Sequence, residues 1–122
     1  MKKMGPAGLI CILALLLCAC NPGRGNVRYA DGVKVVNLYG TWHRMGCQYG
    51  RLNRKEMLDV LGYIDSKLAG RVEKADSAAA VAERLYAASP QYIKEFFDGV
   101  SETSDISLER VKLCNAVEYA EG

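Results

Sequence analysis

Apolar residues occur in this chain first as one long block, Ala7 to Leu17, and afterwards, apart from the alanine-rich Ala78 to Ala82, in spaced patterns. Val33, Val35, Val36 and Leu38, ending in Tyr39-Gly40, form a short β-branched run that predicts a strand over Val33 to Tyr39. Beyond it the spacing turns helical. Thr41 suits an N-cap, and Met57, Leu58, Val60, Leu61, Ile64 and Leu68 recur at three- and four-residue steps, so one helix is expected from Thr41 to about Ala69, closed by Gly70. A second helix is expected from Val72 to Ala88, with Val81, Leu85 and Tyr86 among alanines, and Asp76-Ser77 could interrupt it. Ser89-Pro90 reads as a cap followed by proline at the first helical position, with Ile93, Phe96, Phe97 and Val100 as the buried stripe of that helix. Ser107 caps the last helix, Glu109 favours its positive end, and Ile106 can staple onto Val111. Leu108, Val111, Cys114 and Val117 would face inward.

One strand and three to four helices make an α+β class. A lone strand leaves its backbone groups without sheet partners, so the pattern reads as part of a larger layered fold.

The leading apolar block is too short for a bilayer span, which takes about 20 residues. Lys2 and Lys3 precede it and Cys18-Ala19-Cys20 follow it, the order of an export signal. Leu17-Cys18-Ala19-Cys20 fits a lipobox, with leucine three places before the cysteine and a small residue directly before it. Residues 1–19 are therefore expected to be a bacterial lipoprotein signal peptide and Cys20 the lipidated first residue of an exported, membrane-anchored protein, with ordinary cleavage the alternative. Asn21 beside the anchor lacks the acidic character associated with inner-membrane retention, which leans the expectation towards the outer membrane. Residues 20–32 read as a tether, since Asn21-Pro22-Gly23-Arg24-Gly25-Asn26 offers turn formers and nothing to bury. Residues 33–122 form the domain segment.

Without Lys2 and Lys3 the sixteen basic residues fall level with the fourteen acidic ones. Nucleic-acid binding would want a basic excess, so no nucleic-acid partner is expected. Cys47 and Cys114 could pair in an oxidising compartment, although two separate buried thiols are the favoured reading.

The densest chemistry lies in Gly40-Thr41-Trp42-His43-Arg44-Met45-Gly46-Cys47-Gln48-Tyr49-Gly50. Gly46 and Gly50 share a helical face and admit a close neighbour, a packing role favoured over ligand contact. His43 and Cys47 stand four apart, where an imidazole can meet and activate a thiol. No third orienting group stands out, and an exposed histidine beside a buried cysteine is the favoured alternative. No metal or other cofactor is expected, because the chain has one histidine and Glu95, Asp98 and Glu102 read as a solvated face. The glycine spacing matches neither phosphate-loop nor dinucleotide fingerprints.

The region Leu38 to Tyr63 resembles the opening of the acyl-coenzyme A:isopenicillin-N acyltransferase family of N-terminal nucleophile hydrolases. Gly40-Thr41, Met45-Gly46 and Gly50 match its strand, Gly-Thr and Gly-x-x-x-Gly order, while His43 stands at the usual aromatic place and Arg44 at the usual glutamate. Ser89-Pro90-Gln91-Tyr92-Ile93-Lys94-Glu95, Gly99, Ile106-Ser107-Leu108-Glu109 and Leu113-Cys114-Asn115 resemble its second half, with Glu118 and Tyr119 echoing the family's glutamate and aromatic beyond the asparagine. The similarity spans about Val33 to Gly122. It implies the N-terminal, mainly helical part of an αββα fold, made as a precursor that cuts itself before a cysteine. That cysteine, the nucleophile for cleaving or transferring amide-linked acyl groups, would lie downstream of Gly122, so this chain would hold no catalytic residue. The resemblance makes Asn115 and Glu118 neighbours of the active site, with capping or packing the alternative for each. The implied partners are a downstream catalytic chain, membrane lipid through Cys20 and a small amide substrate. The competing reading is a small helical lipoprotein with a binding or structural role.

Overall fold

Asp31 and Gly32 both take positive φ, 51° and 78°, the backbone that a two-residue hairpin turn of primed type requires. Two antiparallel strands run from it, β1 (Asn26–Ala30) and β2 (Val33–Asn37), in a register that sets Ala30 opposite Val33 and Asn26 opposite Asn37. The computed structural model describes residues 25–118. The signal at 1–19, the lipidation at Cys20 and the echo at Tyr119 lie outside the described residues.

The strand expected alone thus has a partner in the chain itself. The stretch 20–32, expected as a tether, ends in folded chain, because residues 26–30 pair with β2. The expected strand is also shorter than Val33 to Tyr39: Leu38 and Tyr39 leave the sheet.

Thr41 caps α1 (Trp42–Leu52), its Oγ1 accepting from the Arg44 N–H at 3.2 Å. The single helix expected to reach Ala69 is two helices. At Asn53 the backbone swings to φ −117° and ψ 17°, outside the helical region, and α2 (Arg54–Leu68) starts after it. Asparagine is a poor helix former, and here it is buried at the junction while Asn53 N–H still donates to Tyr49 O at 2.8 Å. Of the apolar positions expected inside α2, Met57, Leu61 and Ile64 are buried, whereas Leu58 and Val60 are exposed. Gly70 ends the turn after α2 with φ 72°.

Helix α3 (Val72–Ala88) runs unbroken through Asp76-Ser77. Its buried face is made by Ala78 and Ala82, and Leu85 is exposed. Ser89 does not cap the next helix; its hydroxyl donates back to Leu85 O at 2.7 Å, and Pro90 is the N-cap of α4 (Gln91–Ser104). Asp105 closes α4 in a left-handed conformation, with φ 58°. Ser107 Oγ accepts from the Arg110 N–H at 3.3 Å and starts α5 (Leu108–Cys114), whose Val111 is buried as expected.

The architecture is therefore α+β and mostly helical, with two strands and five helices among the described residues, where one strand and three or four helices were expected. Met57, Leu61, Val100, Ile106 and Val111 form the core, flanked by Tyr49, Phe96, Phe97, Leu113 and Cys114. Ile106 and Val111, the expected staple, both belong to it. None of the described helices is long and apolar enough to cross a membrane.

Candidate functional site

The stripe His43, Gly46, Cys47 and Gly50 follows the three-and-four spacing of one helical face. That face of α1 meets the face of α4 that carries Phe96, Gly99, Val100 and Thr103. A methyl group on Gly46 would land on the Phe96 carbonyl, with Phe96 Cα 3.0 Å away, and one on Gly99 would meet the His43 carbonyl and lie 2.8 Å from Cys47 N. The two helices touch backbone to backbone. Thr103 Oγ1 adds a strut, donating to the Cys47 carbonyl at 2.6 Å.

This contact positions three side chains that can do chemistry. His43 Nδ1 lies 3.9 Å from Cys47 Sγ, Glu102 Oε2 lies 3.7 Å from the same sulfur, and His43 Nε2 stands 3.0 Å from Glu102 Oε1. The proximity of His43 and Cys47 expected from their spacing is present. Glu102 is the orienting group that the sequence did not reveal, and it is not merely part of a solvated face. It lies three residues after Gly99, so the glycine that admits α1 also sets Glu102 beside it.

Cys47 is 4 % exposed. Burial pushes its thiol above the usual cysteine range, and the negative charge of Glu102 and the hydrogen bond to it add to the rise. An activated nucleophile needs the opposite shift. The burial of Cys47 and the charge of Glu102 beside it thus work against activation of the thiol. Cys47 and Cys114 are both free. Cys114 Sγ points to the Met57 carbonyl at 4.0 Å, and burial raises its thiol as well.

No family model matches this chain, and neither does any curated protein or solved structure.

A second feature is a cleft of about 300 Å³ whose lining includes Tyr49, Met57, Phe96, Phe97, Cys114 and Asn115. None of His43, Cys47 and Glu102 lines it, so Asn115 belongs to a different place from the trio. Asn115 is the exposed C-cap of α5, its N–H donating to Lys112 O at 3.1 Å, and Glu118 is exposed.

Gln48 has a structural part that sequence reasoning missed. Fully buried, it accepts from Tyr39 N at 2.9 Å and donates to Tyr39 O at 2.8 Å, as a neighbouring strand would. It fastens the exit of β2 to α1. Lys34, near the turn end of the hairpin, ties β2 to the α1–α2 junction, donating to Leu52 O at 2.9 Å and Glu56 Oε1 at 2.6 Å.

Proposed function

We propose that this chain is the lipid-anchored N-terminal portion of a cysteine-type N-terminal nucleophile amidohydrolase or acyltransferase acting on amide-linked acyl groups. What supports the reading is the order of motifs from Gly40-Thr41 to Asn115, and within it the meeting of Gly46 and Gly50 with the α4 backbone beside Gly99. Glycines carry much of the family likeness, and here they make one helix crossing. The two-stranded sheet is consistent with the same reading, because an isolated hairpin is marginal in water and gains stability from further strands. The downstream chain would supply them.

In this reading the chemistry belongs to a cysteine made N-terminal by self-cleavage downstream of Gly122. Its α-amino group takes the thiol proton as the sulfur attacks the acyl carbonyl, and the departing amine collects that proton. Water or a second amine then attacks the thioester, releasing the acyl group and restoring the thiol. Donors from the backbone or polar side chains hold the oxyanion meanwhile. Residues 25–118 contribute scaffold, and Cys20 contributes the anchor.

The deciding experiment is expression of the whole coding region, including the DNA that follows codon 122. A reading frame that continues into a cysteine, two fragments on a denaturing gel, and amine release from conjugated bile salts or N-acyl amino compounds are expected. Substitution of that cysteine by alanine should abolish both the cleavage and the release. A stop codon with no such frame overturns the proposal in favour of a small helical lipoprotein with a binding role. Palmitate-analogue labelling that is lost in Cys20→Ala tests the anchor separately, and equal labelling of both proteins would reject it.

A further inference from the structure

We infer that His43, Cys47 and Glu102 together form a binding site for a divalent transition metal, with zinc the best match, in which the protein supplies three ligands and solvent the fourth. This inference is independent of the downstream chemistry proposed above and rests on three side chains of the described segment.

The donor set is an imidazole nitrogen, a sulfur and a carboxylate oxygen, the three ligand types that zinc accepts in proteins. One ligand atom from each can be chosen such that all lie within 4.8 Å of one another. Tetrahedral zinc, with its bonds of about 2.0–2.3 Å, sets its ligands about 3.5 Å apart. The sulfur lies 3.9 Å from His43 Nδ1 and 3.7 Å from Glu102 Oε2, while the 3.0 Å contact to Glu102 Oε1 is made by the other ring nitrogen, Nε2, so a metal that takes one nitrogen and one oxygen must draw in a set whose members now lie within 4.8 Å of one another. Rotation of the His43 and Glu102 side chains, both partly exposed, is the movement that binding requires. The backbone itself has little freedom to move, because α1 and α4 are already in contact at Gly46, Gly50 and Gly99.

The exposures give the site a direction. Cys47 forms a buried floor, while the side chains of His43 and Glu102 are 43 % and 59 % exposed. A metal held between them would face solvent on one side, as sites with three protein ligands and a water do. Without a metal the thiol donates only a weak hydrogen bond to the carboxylate, at 3.7 Å. A bound dication changes that balance, since it favours the thiolate and neutralises the carboxylate's repulsion.

Cobalt(II) is the probe, titrated into the purified full chain, reduced and free of any histidine tag. Because His43 is the only histidine in the sequence, imidazole coordination can arise nowhere else. A saturable one-to-one rise of a thiolate-to-cobalt charge-transfer band, displaced by zinc, is expected. Cys47→Ser should remove the band, and His43→Gln and Glu102→Gln should each weaken binding at least about tenfold, since even outer-shell losses cost 10–100-fold. Cys114→Ser and Cys20→Ser should leave it unchanged. Far-UV circular dichroism checks that the variants fold; should Cys47→Ser fail to, the two exposed positions carry the test. Absence of saturable binding, or binding that survives both His43→Gln and Glu102→Gln, overturns the proposal.

Discussion

The two sides of this molecule are held together by different means. Between α1 and α4 the contact is backbone on backbone, made possible by Gly46, Gly50 and Gly99 and fastened by the Thr103 hydroxyl. Between α2, α3 and α5 the contact is made by side chains: Ala78 and Ala82 below, and above them Arg110 paired with Asp65 and Lys112 with Glu83. Lys112 also lies 4.0 Å over the Tyr86 ring, whose hydroxyl donates to Asp98 at 3.2 Å. A backbone contact has no slack, whereas long side chains can re-aim. The first side should therefore be sensitive to single methyl groups and the second tolerant of whole charges.

Glycine-to-alanine substitution probes this contrast most directly, because its sign should reverse between the sides. On propensity alone alanine gains about 1 kcal/mol over glycine in a helix. At Gly46 and Gly99 the added carbon meets backbone atoms that cannot yield, so a net loss of about 3 kcal/mol is expected for either. Thermal and urea unfolding measure it. Gly46→Ala or Gly99→Ala at wild-type stability would show that the helices slide apart at little cost, and the comparison would fall.

Next in size is Gln48→Leu. The leucine fills similar space but leaves the Tyr39 N–H and carbonyl without their partner, at about 2 kcal/mol for the lost hydrogen bonds and the stranded groups. Hydrogen exchange at the Tyr39 amide should accelerate by more than the global stability loss explains. An unchanged Tyr39 amide would mean that the hairpin does not depend on α1.

Gly62 supplies the opposite sign. It lies in α2 with no atom within 4 Å of a would-be methyl group. Gly62→Ala should accordingly stabilise the protein by about 0.5–1 kcal/mol, seen as a higher urea midpoint at unchanged slope. A destabilised variant would place an unseen neighbour on that exposed face.

These contrasts also explain what the sequence disclosed. The helix beginnings at Thr41 and Ser107 were legible because a cap is a local event, settled by a hydroxyl and an N–H three residues on. The hairpin left a local sign too, in Asp31-Gly32 before the valine-rich run, yet the turn formers that precede it draw the eye to a tether. The break at Asn53 left only a weak sign, since a single asparagine within a helical pattern does not by itself end a helix, and its burial at the junction is a tertiary fact. Of the site, the His43–Cys47 half was visible because both residues sit on one helix. Glu102 lies 55 residues from Cys47 and meets it only through tertiary packing. Periodicity cannot report such a meeting, although the glycines that permit it stand in plain view.

The smallest effect expected is on the tolerant side, at Asp65. Its carboxylate accepts from Arg110 Nη1 at 2.8 Å and Nη2 at 2.7 Å, and that bond holds its pKa below the usual aspartate range. A carboxyl depressed in the folded state stabilises the fold above its unfolded pKa, and the contribution is lost as pH falls through the folded value. Both partners are substantially exposed, so solvent screening limits the pair to about 0.2–1 kcal/mol. Asp65→Asn should lose that much at neutral pH and little in strong acid, where the wild type has already lost it. The gap should also narrow as salt rises from about 50 mM to about 1 M, because the Debye length falls to about 3 Å at 1 M. Unfolding midpoints of the two proteins, measured at neutral pH and in strong acid and at both salt levels, supply the comparison. A difference that persists unchanged in acid would mean that Arg110 packs through its stem instead of its charge, and the two sides of the molecule would then differ less than their contacts suggest.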